Sequence, residues 1–425
     1  MKKILVVILA AALLLSLVPV QAQENVTLRI SWWGSQTRHD RTLAAIELFE
    51  SQNPGVKIEP EYMSWGDYWI RMATLMAASQ LPDIMQQDLQ YIRQYADKGL
   101  LEDLMPYVDS GALNLSDADP AFWTGGMLGD ALYGLNLGTN SLMQVYDEAK
   151  LAELGLTIPA PGYDWDEYVA FLRELRTKLP DGVYPSADVV TNQIYNLITH
   201  RVRQLGGHFY SEDGKSLGFD EELLTWCFQF CKDLTDEALI PPMDVRLEVG
   251  VSPEMSLIIT NQSVLMETNS NQLISVVKAA GRPFAANVMP LAKDQVANGQ
   301  YIKPSQFFSV SANSAHKDMA VKFLDFITNS VECNDILLAE RGVPISAKIR
   351  EELKPKLTEV DAIVFDFVDE AAKYADKISP PEPAGHSEVY DLLKTYDQNV
   401  CFGEMTPEDA AREFIPKAND ILASK

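Results

Sequence analysis

Residues 81–104 read Leu-Pro-Asp-Ile-Met-Gln-Gln-Asp-Leu-Gln-Tyr-Ile-Arg-Gln-Tyr-Ala-Asp-Lys-Gly-Leu-Leu-Glu-Asp-Leu. The Pro82-Asp83 turn opens a short apolar strand, Ile84-Met85, whose end is polar: Gln86, Gln87 and Asp88. A helical segment follows with Leu89, Ile92 and Tyr95 on one face, and Gly99 stops it. A strand, a polar tip, a helix and a glycine stop make the unit by which an α/β domain sets a recognition group at the carboxyl edge of its sheet.

The flanking sequence repeats this alternation. Val26 to Trp33 reads as a strand ending at Gly34, and residues 39–51 as a helix with Leu43, Ile46 and Phe49 inward. Asn53-Pro54-Gly55 is a turn, Val56 to Tyr62 a second strand, and Tyr68 to Ala78 a further helix. This βαβα order implies a largely parallel sheet covered by helices. A second group begins after Tyr133-Gly134-Leu135. It includes a helix opened by Asp164-Trp165-Asp166-Glu167, another over 221–234, and a short strand, Val264-Leu265-Met266, opening into a polar tip at 267–272. The last hundred residues read as mainly helical, interrupted by Pro380-Pro381-Glu382-Pro383.

Composition narrows the function classes. Met1-Lys2-Lys3, an apolar run from Ile4 to Val18 and Val20-Gln21-Ala22 read as a secretory signal over residues 1–22. No cysteine stands near the cut, so no lipid anchor is expected, and the mature chain is expected to be periplasmic or extracellular. Its net charge is about −27, because the signal removes two lysines from a chain of net charge −25. Such a field repels nucleic acid and anionic lipid. A mature length of roughly 400 residues suggests two domains. Cys227, Cys231, Cys333 and Cys401 are too few for a disulfide scaffold, and their pairing is left open. Cys227 and Cys231 lack the histidine spacing of a zinc site, and no metal or cofactor is expected. There is no GxSxG, HExxH or P-loop, and the five histidines show no ligand spacing.

Several short stretches share an order and spacing with one family. They are Ser31-Trp32-Trp33-Gly34 with Phe49 to Pro54, Leu81-Pro82-Asp83-Ile84, and Gly99-Leu100-Leu101-Glu102-Asp103-Leu104. Leu132-Tyr133-Gly134-Leu135, Val145-Tyr146-Asp147, Ala320 to Leu324 and Gly403 to Ala411 continue the series. With them the chain resembles the extracellular solute-binding proteins of ABC importers, in the carbohydrate-binding family that includes maltose-binding protein. The resemblance implies an α/β, two-lobed periplasmic-binding-protein fold with an interlobe ligand cleft and crossing hinge segments. The first lobe would take residues 24–137 plus 306–341, the second 141–303 plus 345–425. Hinges would fall near Gly138 to Ser141, Pro304 to Gln306 and Gly342 to Ile345. It also implies a monomer that is not an enzyme, with a small-molecule carbohydrate as ligand and the membrane subunits of an ABC permease as partners.

Sugars are held by aromatic faces and by planar amides or carboxylates that bond their hydroxyls. Asp88, at a strand tip and on a family ligand position, is the leading candidate; capping the following helix is its competing role. Asn140 matches a family position where the related maltose binder has a carboxylate. One of Trp32 and Trp33 should face the cleft by alternation, and Trp33 is preferred as nearer Gly34. Trp65 reads as a loop tryptophan. Tyr195 and Asn196 match a family aromatic position. Asn269, Asn271 and Gln272 stand where relatives often carry Trp, so amides replace stacking there. Phe307, beside Phe308 and a hinge, is a stacking candidate against core packing, and His386 and Tyr390 match a segment that covers the site in relatives. Two alternatives stay open: a secreted polysaccharide-active enzyme, and the same binding fold with a non-sugar ligand.

Overall fold

A computed structural model describes residues 25–188, 194–249, 255–380 and 382–424, so the signal read over 1–22 lies outside the described residues. Thirteen strands are described: β1 (Val26–Trp33), β2 (Val56–Met63), β3 (Ile84–Gln87), β4 (Met127–Leu128), β5 (Ala131–Leu132), β6 (Leu135–Asn136), β7 (Thr139–Asn140), β8 (Leu142–Tyr146), β9 (Tyr184–Ser186), β10 (Ser263–Asn269), β11 (Ala285–Asn287), β12 (Lys303–Pro304) and β13 (Phe307–Val310).

They build two main sheets. The first runs β2-β1-β3-β13-β6, the second β11-β8-β10-β9. In the first, β2, β1 and β3 are parallel, as the βαβα reading requires, because each pair is joined by a helix. β13 enters antiparallel to β3 and β6, returning from the far side of the chain. The second sheet is mixed: β9 lies parallel to β10, while β8 runs antiparallel to both β10 and β11. The expectation of largely parallel pairing therefore holds for the N-terminal βαβα unit only.

Local chemistry explains the elements. Leu28, Ile30 and Trp32 point to one side of β1 and are fully buried. Ser35 caps helix Gln36–Gln52 by accepting from the Arg38 amide. Ser64 does the same for helix Trp65–Ala77 through Asp67, so Trp65 is the first helical residue and not a loop residue as its neighbours suggested. Helix Trp165–Arg176 opens with a capping box from Asp164 and Glu167.

The sheets are joined where three chain segments cross. β7 pairs antiparallel with β12, matching Asn140 to Lys303 and Thr139 to Pro304. The Thr139 amide donates to the Val343 carbonyl at 2.8 Å, and the Ser305 amide to the Gly138 carbonyl at 2.9 Å. A Cβ at Gly138 would stand 2.3 Å from the Arg341 carbonyl oxygen, so only glycine fits this crossing. These contacts fall at the three segments read as hinges. Just beyond, the Ala347 amide bonds the Asp117 carbonyl at 2.9 Å, tying the start of the 345–425 segment to a loop of the 24–137 segment.

The largest hydrophobic cluster runs from β1 and β13 through Phe122, Val343 and Phe365 to Met143 and Met266 of the second sheet. A second surrounds Tyr146, Tyr168, Phe228 and Phe414, and a third joins Trp33, Tyr68, Met85, Tyr95 and Phe307. All four cysteines are free thiols. No described helix is long and apolar enough to cross a membrane.

One core residue carries a pH signature. Glu267, on β10 opposite Gln144, is fully buried, and neither carboxyl oxygen has a hydrogen-bond partner among the described residues. Burial, with Asp188 adding to it, holds its pKa well above the ordinary value. The folded chain therefore keeps a proton that the unfolded chain releases near the usual carboxyl pKa, and stability falls as pH rises above that point. Glu267→Gln removes the cost of protonation but adds a buried donor. It should stabilise the protein at pH 7 by about 1–2 kcal/mol and flatten the pH dependence of urea midpoints. Equal midpoints for both proteins at pH 5 and pH 8 would contradict the assignment.

Candidate functional site

The carboxyl ends of β1 and β3, the crossing segments and the tip of β10 open onto one cleft of about 800 Å3 between the two sheets. Its first wall is aromatic. Trp33 ends β1 with 8 % exposure and meets the Trp65 ring edge-on at 4.8 Å; Trp65, 43 % exposed, starts the next helix. Trp69 backs both at 5.5 Å and itself lies 3.9 Å from Tyr91. Trp32 points the other way, fully buried, with its indole N–H on His39 Nδ1 at 3.1 Å. Alternation along the strand thus places Trp33, not Trp32, at the cleft.

Asp88 follows β3 directly. Its Oδ1 accepts from the Gln90 amide at 2.9 Å and its carbonyl from the amides of Tyr91 and Ile92, so one carboxyl oxygen shapes the turn into helix Ile92–Asp97. Oδ2 has no hydrogen bond among the described residues, and Asp88 lines the cleft. Burial raises the Asp88 pKa above the ordinary carboxyl value; the Gln90 amide and Lys303 pull it back in part, and Glu382 raises it further.

Across the cleft stand Asn269, Asn271 and Gln272. Gln272 is partly committed, since its Oε1 accepts from Thr268 Oγ1 at 2.7 Å and from the Asn269 amide at 3.3 Å. Asn271 is exposed. On the floor, Asn140 of β7 has a buried Oδ1 with no hydrogen-bond partner among the described residues, an acceptor left open at the crossing. His386, first residue of helix His386–Cys401, shares a 2.7 Å hydrogen bond with the Tyr210 hydroxyl and stands 3.7 Å from Glu382.

Eight of the twelve candidates therefore meet at this cleft: Trp33, Trp65, Asp88, Asn140, Asn269, Asn271, Gln272 and His386. Tyr195 and Asn196 do not line it. They line a side chamber of about 150 Å3, walled also by Phe209, Tyr210 and Tyr301, that joins the cleft at Leu89, Asn269, Lys303 and Glu382. The Tyr195 hydroxyl is spent on Glu382 at 3.1 Å. Tyr390 lies behind His386, ring to ring at 5.9 Å, and is covered by Lys394. Phe307 is a correction: β13 sits between β3 and β6, both faces of that strand are covered, and Phe307 is fully buried with no face for a ligand.

The sequence reading missed the charged members of the cleft. Arg38 is held by both oxygens of Glu340, at 3.2 and 2.9 Å. Arg341 is buried, donating to Gln86 Oε1 at 2.8 Å and Thr42 Oγ1 at 2.9 Å while stacked over Phe308; burial pulls its pKa down to about 9. Lys303 and Glu382 stand where cleft and side chamber meet, and Asp361 lines the cleft from the first turn of helix Glu359–Ala372. Among the described residues no group of histidine, cysteine or carboxylate side chains is arranged to hold a metal.

Two α/β lobes, three crossing segments and a polar-aromatic cleft between them define a binding protein of the two-lobed periplasmic type. The chain belongs to the bacterial extracellular solute-binding protein family, whose pattern it matches over residues 44–359. It is similar in structure to an extracellular solute-binding protein family 1 member from Alicyclobacillus acidocaldarius, at 28% identity and TM-score 0.84, covering 95% of this chain and 100% of that one. It is 27% identical over 149 residues to a carbohydrate ABC transporter substrate-binding protein of Streptococcus pneumoniae, a match covering 34% of this chain and 30% of that one. An uncharacterized lipoprotein of Streptomyces antibioticus is 22% identical over 316 residues, covering 72% of this chain and 67% of that protein.

Proposed function

We propose that this protein is the extracytoplasmic solute-binding component of a carbohydrate ABC importer, capturing an oligosaccharide in the interlobe cleft and handing it to a membrane permease. The observation that carries this reading is the cleft itself. The Trp33–Trp65 face stands opposite the amides of Asn269, Asn271 and Gln272, with Asp88 and the open acceptor of Asn140 between them. A sugar offers an apolar C–H surface to aromatic rings and hydroxyl protons to carboxylate and amide oxygens. A cleft of this size holds more than one pyranose ring, and the side chamber extends it.

Mechanistically, a ligand touching both walls stabilises the closed state over the open one by its differential affinity, and the permease reads that state. The crossing segments at Gly138, Ser305 and Gly342 would absorb the motion. The protein would work as a monomer, exported by residues 1–22, binding its ligand without converting it. The stretches 24–137 plus 306–341 and 141–303 plus 345–425 serve as the two lobes in this account.

Calorimetry of the purified mature chain with a panel of oligosaccharides tests the reading. One or more should bind with one-to-one stoichiometry, and at about 100 times its Kd should stabilise the fold by about 2.7 kcal/mol. Release of shorter sugars from a polysaccharide, without stoichiometric binding, would favour an enzyme instead.

A further inference from the structure

We infer that the cleft is built for an uncharged saccharide and against a uronate, and that Glu382, with Lys303 at the throat of the side chamber, and Asp88, in the adjoining cleft, make that choice. The inference rests on the proposed capture of a carbohydrate and names its charge class.

The argument begins with which charges are free. Four carboxylates line the cleft, Asp88, Glu340, Asp361 and Glu382, against three cations, Arg38, Lys303 and Arg341. A sugar carboxylate is recognised best by the two-pronged fork of an arginine. Neither arginine offers one. Arg38 has its Nε on the Glu340 carboxylate and an Nη on the Trp33 carbonyl, and Arg341 is buried with its two terminal nitrogens on Gln86 and Thr42. Of the three cations only Lys303 has a side chain with no ion pair or hydrogen bond among the described residues.

Lys303 is not an open invitation to an anion, because two acids stand around it. Glu382 lines both compartments with it, and its carboxylate is positioned there by the Tyr195 hydroxyl and by His386. Asp88 lies close enough to feel both the Lys303 and the Glu382 charges. A uronate brought to Lys303 therefore meets two carboxylates for one ammonium, in a cleft partly shielded from water where like-charge repulsion is strong.

The hydrogen-bonding groups point the same way. Among the described residues Asp88 Oδ2 and the buried Asn140 Oδ1 carry no hydrogen bond, and Glu382 adds two further acceptor oxygens, one of them shared with Tyr195. Donors stand in the cleft as well, among them the Lys303 ammonium, the side-chain amides of Asn271 and Gln272 and the buried Arg341 Nε, which has no partner among the described residues. A site this rich in acceptors is completed by hydroxyl protons, which neutral sugars supply at most ring positions and an ionised carboxylate lacks.

The test uses calorimetry on the full mature chain with oligosaccharide pairs that differ only in oxidation at C6: glucose and glucuronate, galactose and galacturonate, mannose and mannuronate oligomers. For any pair that binds, the neutral member should bind at least about tenfold tighter at low salt. Glu382→Gln should narrow that gap by fivefold or more, and Lys303→Gln should widen it; melting temperatures confirm that both variants fold. A wild-type preference for an acidic member, or a gap that Glu382→Gln leaves unchanged, overturns the inference while leaving carbohydrate capture intact. If no member of either series binds, carbohydrate capture itself fails and the inference with it.

Discussion

Arg246→Ala is expected to destabilise the protein by about 3–5 kcal/mol. Arg246 is buried on helix Met243–Val249, 3.6 Å from the Asp188 carboxylate, with an Nη on the Cys401 sulfur at 3.2 Å. Asp397, also buried, faces the same guanidinium. Burial alone would lower the Arg246 pKa, but Asp188 and Asp397 outweigh it and hold the guanidinium charged. Alanine removes the cation that both buried carboxylates face. Urea denaturation at pH 7 reads the loss.

The pH dependence of that loss adds a second handle. Burial raises the Asp397 pKa from 3.8 to about 6, and Arg246 offsets only part of the rise. Between those values the folded chain holds a proton that the unfolded chain has released, so Asp397 costs stability as pH climbs through the window. Without Arg246 Asp397 should take its proton more readily, so the penalty of Arg246→Ala should shrink at pH 4. A penalty that is equal at pH 4 and pH 7 would mean the guanidinium acts only as a packing group.

Asp88→Ala should weaken saccharide binding by about 1.5–3 kcal/mol, on the order of 10- to 150-fold, because it deletes a charge-assisted acceptor from a partly buried site. Asp88→Asn should lose less, keeping an acceptor oxygen and the turn bond to the Gln90 amide. Because burial raises the Asp88 pKa, wild-type affinity should fall on acidification at a higher pH than an ordinary aspartate would give, and Asp88→Asn should flatten that fall. Calorimetry from pH 4 to pH 8 measures both. Unchanged affinity in Asp88→Ala would confine this side chain to its capping bond.

How far the sequence carried these conclusions depends on how local the signal was. The 81–104 unit was legible because turn, strand tip and glycine stop are set by neighbouring residues; helix Ile92–Asp97 does end before Gly99, whose φ is 65°. Trp33 over Trp32 followed from the period of a strand. Trp65 was misplaced in a loop although Ser64-Trp65-Gly66-Asp67 carries a capping signal, Ser64 to Asp67, that announces the helix. Phe307 failed for a different reason. Period-two alternation separates core from surface only when one face is open, and β13 is covered on both.

Lys303 and Glu382 were beyond local reading. Lys303 earns its place only because β12 pairs with β7, a contact across 163 residues that sets it opposite Asn140. Glu382 belongs to the Pro380-Pro381-Glu382-Pro383 stretch, which the sequence marks as a helix interruption. Tertiary bonds turn it into a wall: Arg203 holds the Lys377 carbonyl at 2.9 Å and Ser379 Oγ at 3.0 Å, and Tyr195 holds Glu382 itself. His386 and Tyr390 lie one helical turn apart and stack, so only the residue at the helix start reaches the cleft.

The most direct measurement of capture in the cleft is a tryptophan-fluorescence titration with the tightest-binding saccharide, comparing wild type with Trp65→Phe. Trp65 is the most exposed ring on the aromatic wall and lines the cleft. Ligand should shift wild-type emission along the same isotherm that calorimetry gives, and Trp65→Phe should lose most of that shift. A saccharide that binds by calorimetry yet leaves the emission of both proteins unmoved would place binding somewhere other than this cleft.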